Sequence, residues 1–102
     1  MSLNSESTVT SVAPARNLGR LCKHLAHRCK VNAEAERAQV EFPGGATCEM
    51  HVNGAQLHMV IQAPNAETLA RVQEVLSRHL LQVASGEALD ISWSASTLRA
   101  EQ

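Results

Sequence analysis

The sequence predicts an α+β fold, a two-layer sandwich in which two helices cover one face of a mostly antiparallel sheet in the order β-α-β-β-β-α-β. Two segments carry apolar residues at helical spacing, so each is expected to form a helix with one face toward a core. Three consecutive segments alternate apolar and polar residues and are joined by short turns, which requires an antiparallel meander. The chain of 102 residues, of which 44% are hydrophobic, has the size of one domain with a modest core.

The first half of the chain opens with a strand and a helix. Residues 7–13 are rich in Ser, Thr and Val and predict the first strand, which Pro14 ends. The helix is predicted over residues 15–30, and its core-facing stripe consists of Leu18, Leu21, Cys22, Leu25 and Cys29. Residues 31–36 are predicted to be a polar connection.

The meander follows in residues 37–42, residues 46–52 and a strand whose inward side chains are Leu57, Met59 and Ile61. A three-residue turn at 43–45 would place Phe42 opposite Ala46. Asn-Gly is the strongest short hairpin signal, so Asn53 and Gly54 are predicted as a two-residue turn. That turn pairs apolar with apolar residues: Val52 with Ala55, Met50 with Leu57, Cys48 with Met59 and Ala46 with Ile61.

The second half contains one helix and a closing strand. Asn65 is the predicted N-cap, residues 85–86 end the helix, and its apolar stripe is Leu69, Val72, Leu76, Leu80 and Val83. Residues 89–94 predict the last strand, with Leu89, Ile91 and Trp93 inward. Residues 1–6 are predicted to be disordered, residues 7–94 to form the single domain and residues 95–102 a flexible tail.

The charge distribution is the strongest functional signal. The formal net charge is −1, yet residues 7–33 contain five Lys or Arg and no acid. The exposed side of the first helix is therefore a candidate dock for an acidic protein or an anionic small ligand, against the alternative of a solvated surface. Nucleic acid is disfavoured because no aromatic residues interleave with the basic ones. The odd count of three cysteines favours a reducing, cytoplasmic setting, and no apolar run is long enough for a membrane.

The histidines define the competing interpretations. His24 and His27 could share one helix face and supply two metal ligands, whereas Cys22 and His24 project about 160° apart and cannot bind one ion together. No cofactor is predicted for a binding domain, and iron or haem would be bound only if the histidines are ligands. His79 is predicted to be partly buried at the edge of its helix stripe, where a structural role is favoured over a functional one. Of the five histidines it is the one most expected to titrate abnormally.

The outer face of the sheet has a third interpretation. The predicted register puts Gln39, Glu49 and His58 in one cross-strand row and makes Glu49 and His58 an ion pair. A small enzyme with His58 or His79 as a base would need a concave pocket beside that histidine. This face has few large apolar residues, so the chain is expected to be a monomer or a weak homodimer.

Several short motifs resemble a small bacterial family of domains of unknown function, family 2218. Residues 21–28 are similar to its "LCxHFxHK" segment, residues 42–48 to its "FxxGxC" turn, residues 78–80 to its "RHL", and Trp93 to its closing tryptophan. The resemblance implies this order of strands and helices, no established activity, and an occasional association with siderophore-interacting proteins that points to iron handling. After residue 80 the family's arginines are absent and only Ala84 and Glu87 match, so a function carried by those arginines would be lost or altered.

These observations together predict a non-enzymatic binding or accessory domain. Its candidate binding residues lie on the two helices: Arg16, Arg20, Lys23, His24, His27 and His79.

Overall fold

The computed structural model describes residues 2–84, 86–94 and 97–99. In chain order its elements are β1 (Ser2–Thr10), α1 (Pro14–Leu25), β2 (Lys30–Ala33), β3 (Arg37–Glu41), β4 (Thr47–Asn53), β5 (Gln56–Ala63), α2 (Ala66–Val83) and β6 (Thr97–Arg99).

The strands form one sheet in the order β2-β3-β4-β5-β1-β6, and each neighbouring pair in the described part of the chain is antiparallel. The helix α1 packs on β2 to β5, and α2 packs on β5 and β1. Both helices share one buried cluster with the inward residues of the strands, so they cover the same face. The predicted α+β sandwich is confirmed, and the residues that the structure describes form six strands where the sequence predicted five.

The core is aliphatic and sulfur-rich, because the chain has one Phe and one Trp. Both predicted helix stripes are buried, apart from the half-buried Cys29 beyond the end of α1. The side chains with no measurable exposure are Leu21, Met59, Ile61 and Leu76. The other face of the sheet is polar, as expected for an antiparallel sheet with one wet side.

The ends of the chain differ from the prediction. β1 begins at Ser2, so residues 2–6 belong to the sheet rather than to a disordered segment. The short strand β6 lies in the predicted tail and pairs with β1, for example Leu98 with Leu3; the other tail residues lie outside the described part.

Residues 89–94 were predicted as a strand but have no strand ladder. Their alternation is nevertheless correct, because Leu89, Ile91 and Trp93 are half-buried against the core. We call residues 87–94 the C-terminal strap. It runs beside β1 and is tied to that strand near its end, where the Ser94 backbone N–H donates to the Glu6 carbonyl over 2.8 Å.

The first helix is shorter than predicted, and the connection after it contains a strand. α1 ends at Leu25 and a tight turn follows, in which the Arg28 N–H donates to the Leu25 carbonyl over 3.0 Å. The helix must end there because Lys30 already pairs with Glu41 in the sheet. The sequence did not predict β2, because this strand has four residues, lies at the edge of the sheet and has one half-buried side chain, Val31.

One hairpin is confirmed and the other is corrected. Phe42 N–H donates to the Ala46 carbonyl over 2.8 Å, as the three-residue turn predicted. The β4–β5 turn is formed by Gly54 and Ala55 instead of Asn53 and Gly54, so the pairs are Cys48 with Ile61, Met50 with Met59 and Val52 with Leu57. Gly54 has φ 62° at the first turn position, as in a type II′ turn. The slip of two residues keeps every side chain on its predicted face.

Candidate functional site

The exposed side of α1 carries the predicted basic residues. Arg16, Arg20, Lys23 and His24 lie on α1 and are exposed, and His27 is exposed in the turn after it. Lys23 and His24 lie in the last turn of the helix, where its dipole favours positive charge. α1 has no acidic residue in its first turn. The predicted basic face is therefore present as a surface.

The structure brings His24 and His79 together from different helices. Their ring centroids are 5.6 Å apart and the rings are tilted by 43°. His24 is exposed, whereas His79 is half-buried, and its Nδ1 is buried with no hydrogen-bond partner in the described part of the chain. Burial lowers the pKa of His79, and the neighbouring His24 and Arg78 lower it further. The predicted abnormal titration of His79 thus has a structural cause.

A second contact joins the same two helices. The Arg20 guanidinium donates to the Val83 carbonyl over 3.4 Å, at the C-terminus of α2. Arg78 keeps a long, exposed ion pair of 3.8 Å with Glu74. We define the interhelix patch as Arg20, Lys23, His24, Arg78 and His79.

The other predicted site residues lie outside this patch. Arg16 lies in the first turn of α1 and acts electrostatically on Glu87 instead, helping to lower its pKa. Because α1 ends at Leu25, His27 does not extend the helix face of His24, which was the premise of the two-ligand metal site. Residues 2–84, 86–94 and 97–99 contain no group of three or more His, Cys, Asp or Glu side chains arranged to hold a metal ion.

A partly buried hydrogen-bond cluster around Glu87 was not predicted. The Glu87 carboxylate accepts from the Ser11 hydroxyl (3.0 Å), the Val12 backbone N–H (2.9 Å) and the Asn17 amide (2.9 Å). These bonds lower the pKa of Glu87 and tie the strap to the start of α1, whose N-cap residue Ala13 has no side chain that could cap the helix. The one signal in the sequence was that Glu87 matched the family pattern.

The outer face of the sheet holds two more histidines. Because the β4–β5 register is shifted from the prediction, His58 lies opposite His51 and Thr8, and Glu49 lies opposite Val60. The expected ion pair between Glu49 and His58 is therefore wrong. His58 instead contacts the Thr8 hydroxyl through Nδ1 (2.8 Å) and the Glu6 carboxylate through Nε2 (3.1 Å). The His51 and His58 rings are 5.0 Å apart.

Two surface cavities bear on the enzyme interpretation. The first, of about 370 Å³, lies on the outer face of the sheet and includes His51 and Arg37 in its lining. The second, of about 850 Å³, lies beside the Glu87 cluster, next to Val12 and Leu89. Neither is lined by His58 or His79. These cavities therefore give no support to either histidine as a catalytic base.

The cysteines behave as core residues. Cys22 and Cys48 are buried, Cys29 is half-buried, and all three are free. Burial raises the pKa of Cys48 to about 12 and also raises the pKa of Cys22 and Cys29. Thiols with raised pKa values stay protonated near neutral pH and are poor nucleophiles.

Comparisons with known proteins agree with the fold. A family model described as "Uncharacterized protein conserved in bacteria (DUF2218)" matches residues 6–94. The NMR structure of PA4090 from Pseudomonas aeruginosa is similar at 33% identity, with a TM-score of 0.72, over 89% of this chain and 94% of that chain. A comparison with curated proteins finds no match. Of the two helices in the described residues, neither has the length and apolar character that crossing a bilayer requires.

Proposed function

The chain belongs to the uncharacterized bacterial family DUF2218, and we propose that it is a non-enzymatic binding domain whose interhelix patch docks an acidic partner protein. The observation that carries this proposal is the placement of His24 and His79 with their ring centroids 5.6 Å apart on two helices that also carry Arg20 and Arg78.

The patch is electrostatically incomplete without an anion. Protonation of His79 is opposed by burial and by two basic neighbours, so a carboxylate beside it would offset that repulsion. His79 Nδ1 is buried and has no hydrogen-bond partner in the described part of the chain. The free-energy cost of removing this nitrogen from water is therefore not offset by a hydrogen bond within the described chain. A partner carboxylate beside the His79 ring would therefore favour its protonated form and bind more tightly as the pH falls through the lowered pKa of His79.

The test is a charge reversal with a matched control. Arg20→Glu combined with Lys23→Glu should abolish binding of a fluorescent hexaglutamate peptide, measured by anisotropy. The melting temperature should fall only slightly, because both residues are exposed and the Arg20 bond to the Val83 carbonyl is long at 3.4 Å. Arg28→Glu combined with Arg71→Glu makes the same change in net charge at exposed positions outside the patch. Equal losses of binding in the two double variants would mean that only net charge matters and would reject the patch.

A second candidate is iron or haem handling with histidine ligands, as the family resemblance implies. The same pair favours it, since two imidazoles at this separation could approach one ion, with His24 and His79 in place of His24 and His27. Metal and haem analysis of untagged protein should then show uptake that His24→Ala or His79→Ala abolishes. Protein that neither holds nor takes up iron, zinc or haem would reject this candidate.

We also infer a cytoplasmic location and a monomeric or weakly dimeric state. Free cysteines in the described chain support a reducing compartment, and the polar outer face of the sheet supports a monomer. Fractionation of cells and sedimentation analysis of the purified chain would test these two inferences.

A further inference from the structure

We propose that the outer face of the sheet binds a free α-amino acid in the cavity formed by β3, β4 and the end of β2. This site is separate from the interhelix patch, because the helices cover the opposite face of the sheet. The cavity has a volume of about 370 Å³. The polar side chains around it are Asn32, Glu34, Arg37, Gln39, Glu49 and His51.

The cavity combines charges of both signs that do not neutralise each other. Arg37, Glu34 and Glu49 are exposed, and the described ion pairs of the chain, Glu6 with His58 and Glu74 with Arg78, include none of the three. Arg37 on β3 lies opposite His51 on β4. Glu49 is two residues before His51 on β4, so Arg37 and Glu49 are diagonal neighbours. Diagonal residues of a strand pair have Cα atoms about 7 to 8 Å apart. A small molecule that carries a carboxylate and an ammonium group fits between two such side chains.

The chemistry of each side chain assigns the ends of the ligand. The planar Arg37 guanidinium can hold the ligand carboxylate through two parallel hydrogen bonds. The carboxylates of Glu49 and Glu34, which both line the cavity, can accept from the ammonium group. Arg37 and the two acids do not form an ion pair with each other, so the bound ligand would give each of these charges an opposite charge as its partner.

The site is held by the sheet before a ligand arrives. Arg37, Gln39 and Glu49 lie in paired strands, and the Gln39 amide donates to one Glu49 oxygen over 3.4 Å, which orients that carboxylate and leaves its second oxygen available. The Glu34 N–H donates to the Arg37 carbonyl over 2.7 Å and fixes the β2–β3 connection. Strand pairing therefore fixes the backbone of the site before a ligand arrives, and the ordering cost of binding falls mainly on the exposed Arg37 and Glu34 side chains.

Size and lining narrow the ligand to a small polar amino acid. The cavity volume lies at the low end of the range of about 300 to 1,000 Å³ that is typical of ligand sites, so it suits a small molecule. The amides of Asn32 and Gln39 offer both donors and acceptors, so they match an amide side chain better than an apolar one. L-glutamine is therefore the probe of choice.

The experiment compares three ligands by calorimetry and by amide chemical shifts. L-glutamine should bind, whereas N-acetyl-L-glutamine lacks the ammonium charge and L-glutaminamide lacks the carboxylate. Each loss removes a charge-assisted hydrogen bond and should weaken binding by about tenfold or more. Equal binding of all three, or no binding of L-glutamine at millimolar concentration, would overturn the proposal.

Matched variants locate the site. Arg37→Gln and Glu49→Gln should each weaken L-glutamine binding by about tenfold, because each removes one charged partner of the ligand. Arg28→Gln and Glu41→Gln remove the same charges at exposed positions outside the cavity lining and should leave the affinity unchanged. Unchanged affinity in both cavity variants would overturn the proposal. The Arg20→Glu, Lys23→Glu variant should still bind L-glutamine, so this site and the interhelix patch can fail separately.

Discussion

Truncation of Leu76 tests the packing of α2 on the sheet. Leu76 is 0% exposed and lies in the middle of the α2 stripe. Leu76→Ala removes three apolar carbons, which is about 2.4 kcal/mol of lost transfer free energy at about 0.8 kcal/mol per methylene. The cavity left in a closed core raises the expected loss to about 3 to 5 kcal/mol. Urea unfolding should show this loss, and the melting temperature should fall by at least about 12 °C, at about 4 to 8 °C per kcal/mol.

Leu81 provides the matched control on the same helix. It is 47% exposed, so Leu81→Ala removes the same atoms from a half-solvated position without creating a closed cavity, and we expect a loss of at most about 1 kcal/mol. Equal losses of stability in the two variants would contradict the closed packing of Leu76 in the core, because a half-exposed leucine would then cost as much as a fully buried one.

Three further substitutions test local features. Asn65→Ala should lower the free energy of unfolding in urea by about 1 kcal/mol, because the Asn65 side chain accepts from the Thr68 N–H over 2.8 Å. Asn65→Asp should retain this helix cap and most of the stability. Equal losses in the two variants would contradict the capping role of Asn65. Gly54→Ala should cost about 1 to 2 kcal/mol through the positive φ alone, since no atom lies within 4 Å of the added methyl group. Gly19→Ala is the matched control, because Gly19 has equal space for a methyl group without a positive φ, and it should not destabilise the protein. An unchanged stability in Gly54→Ala would contradict the turn type. Glu87→Gln should destabilise the protein at neutral pH, because the ionised Glu87 carboxylate is stabilised in the folded state, as its lowered pKa indicates. This contribution to stability is fully present above pH 4.5, the ordinary pKa of the group, and is lost as the pH falls through the lower pKa of the folded state. The gap to the wild type should therefore narrow in acid, and a gap independent of pH would contradict this.

Periodicity alone was enough to predict the layers of the fold. The stripes at helical spacing in α1 and α2 are buried, and the alternation in β3, β4 and β5 sorts their side chains correctly between the two faces. Local chemistry also predicted the Asn65 cap and the turn after Phe42. These features depend on residues close together in the chain, so the sequence contains the information that determines them.

Long-range pairing explains the elements that were missed. β2 and β6 are edge strands of four and three residues, and each is defined by its partner rather than by its own pattern. The β4–β5 register slipped by two residues because such a slip preserves every face, so the hydrophobic pattern could not distinguish the two pairings. This slip by itself changed the residue opposite His58 on β4 from Glu49 to His51.

The sequence by itself determined the fold class, the core-facing stripes and the basic side of α1, because periodicity and local charge are properties of neighbouring residues. Only the tertiary structure decided which distant side chains meet. His24 lies 55 positions before His79, and Asn17 lies 70 positions before Glu87, yet the packing of α1 against α2 and the course of the strap bring each pair into contact. The candidate sites therefore depend on helix packing and strand register, and neither is encoded in any single segment of the chain.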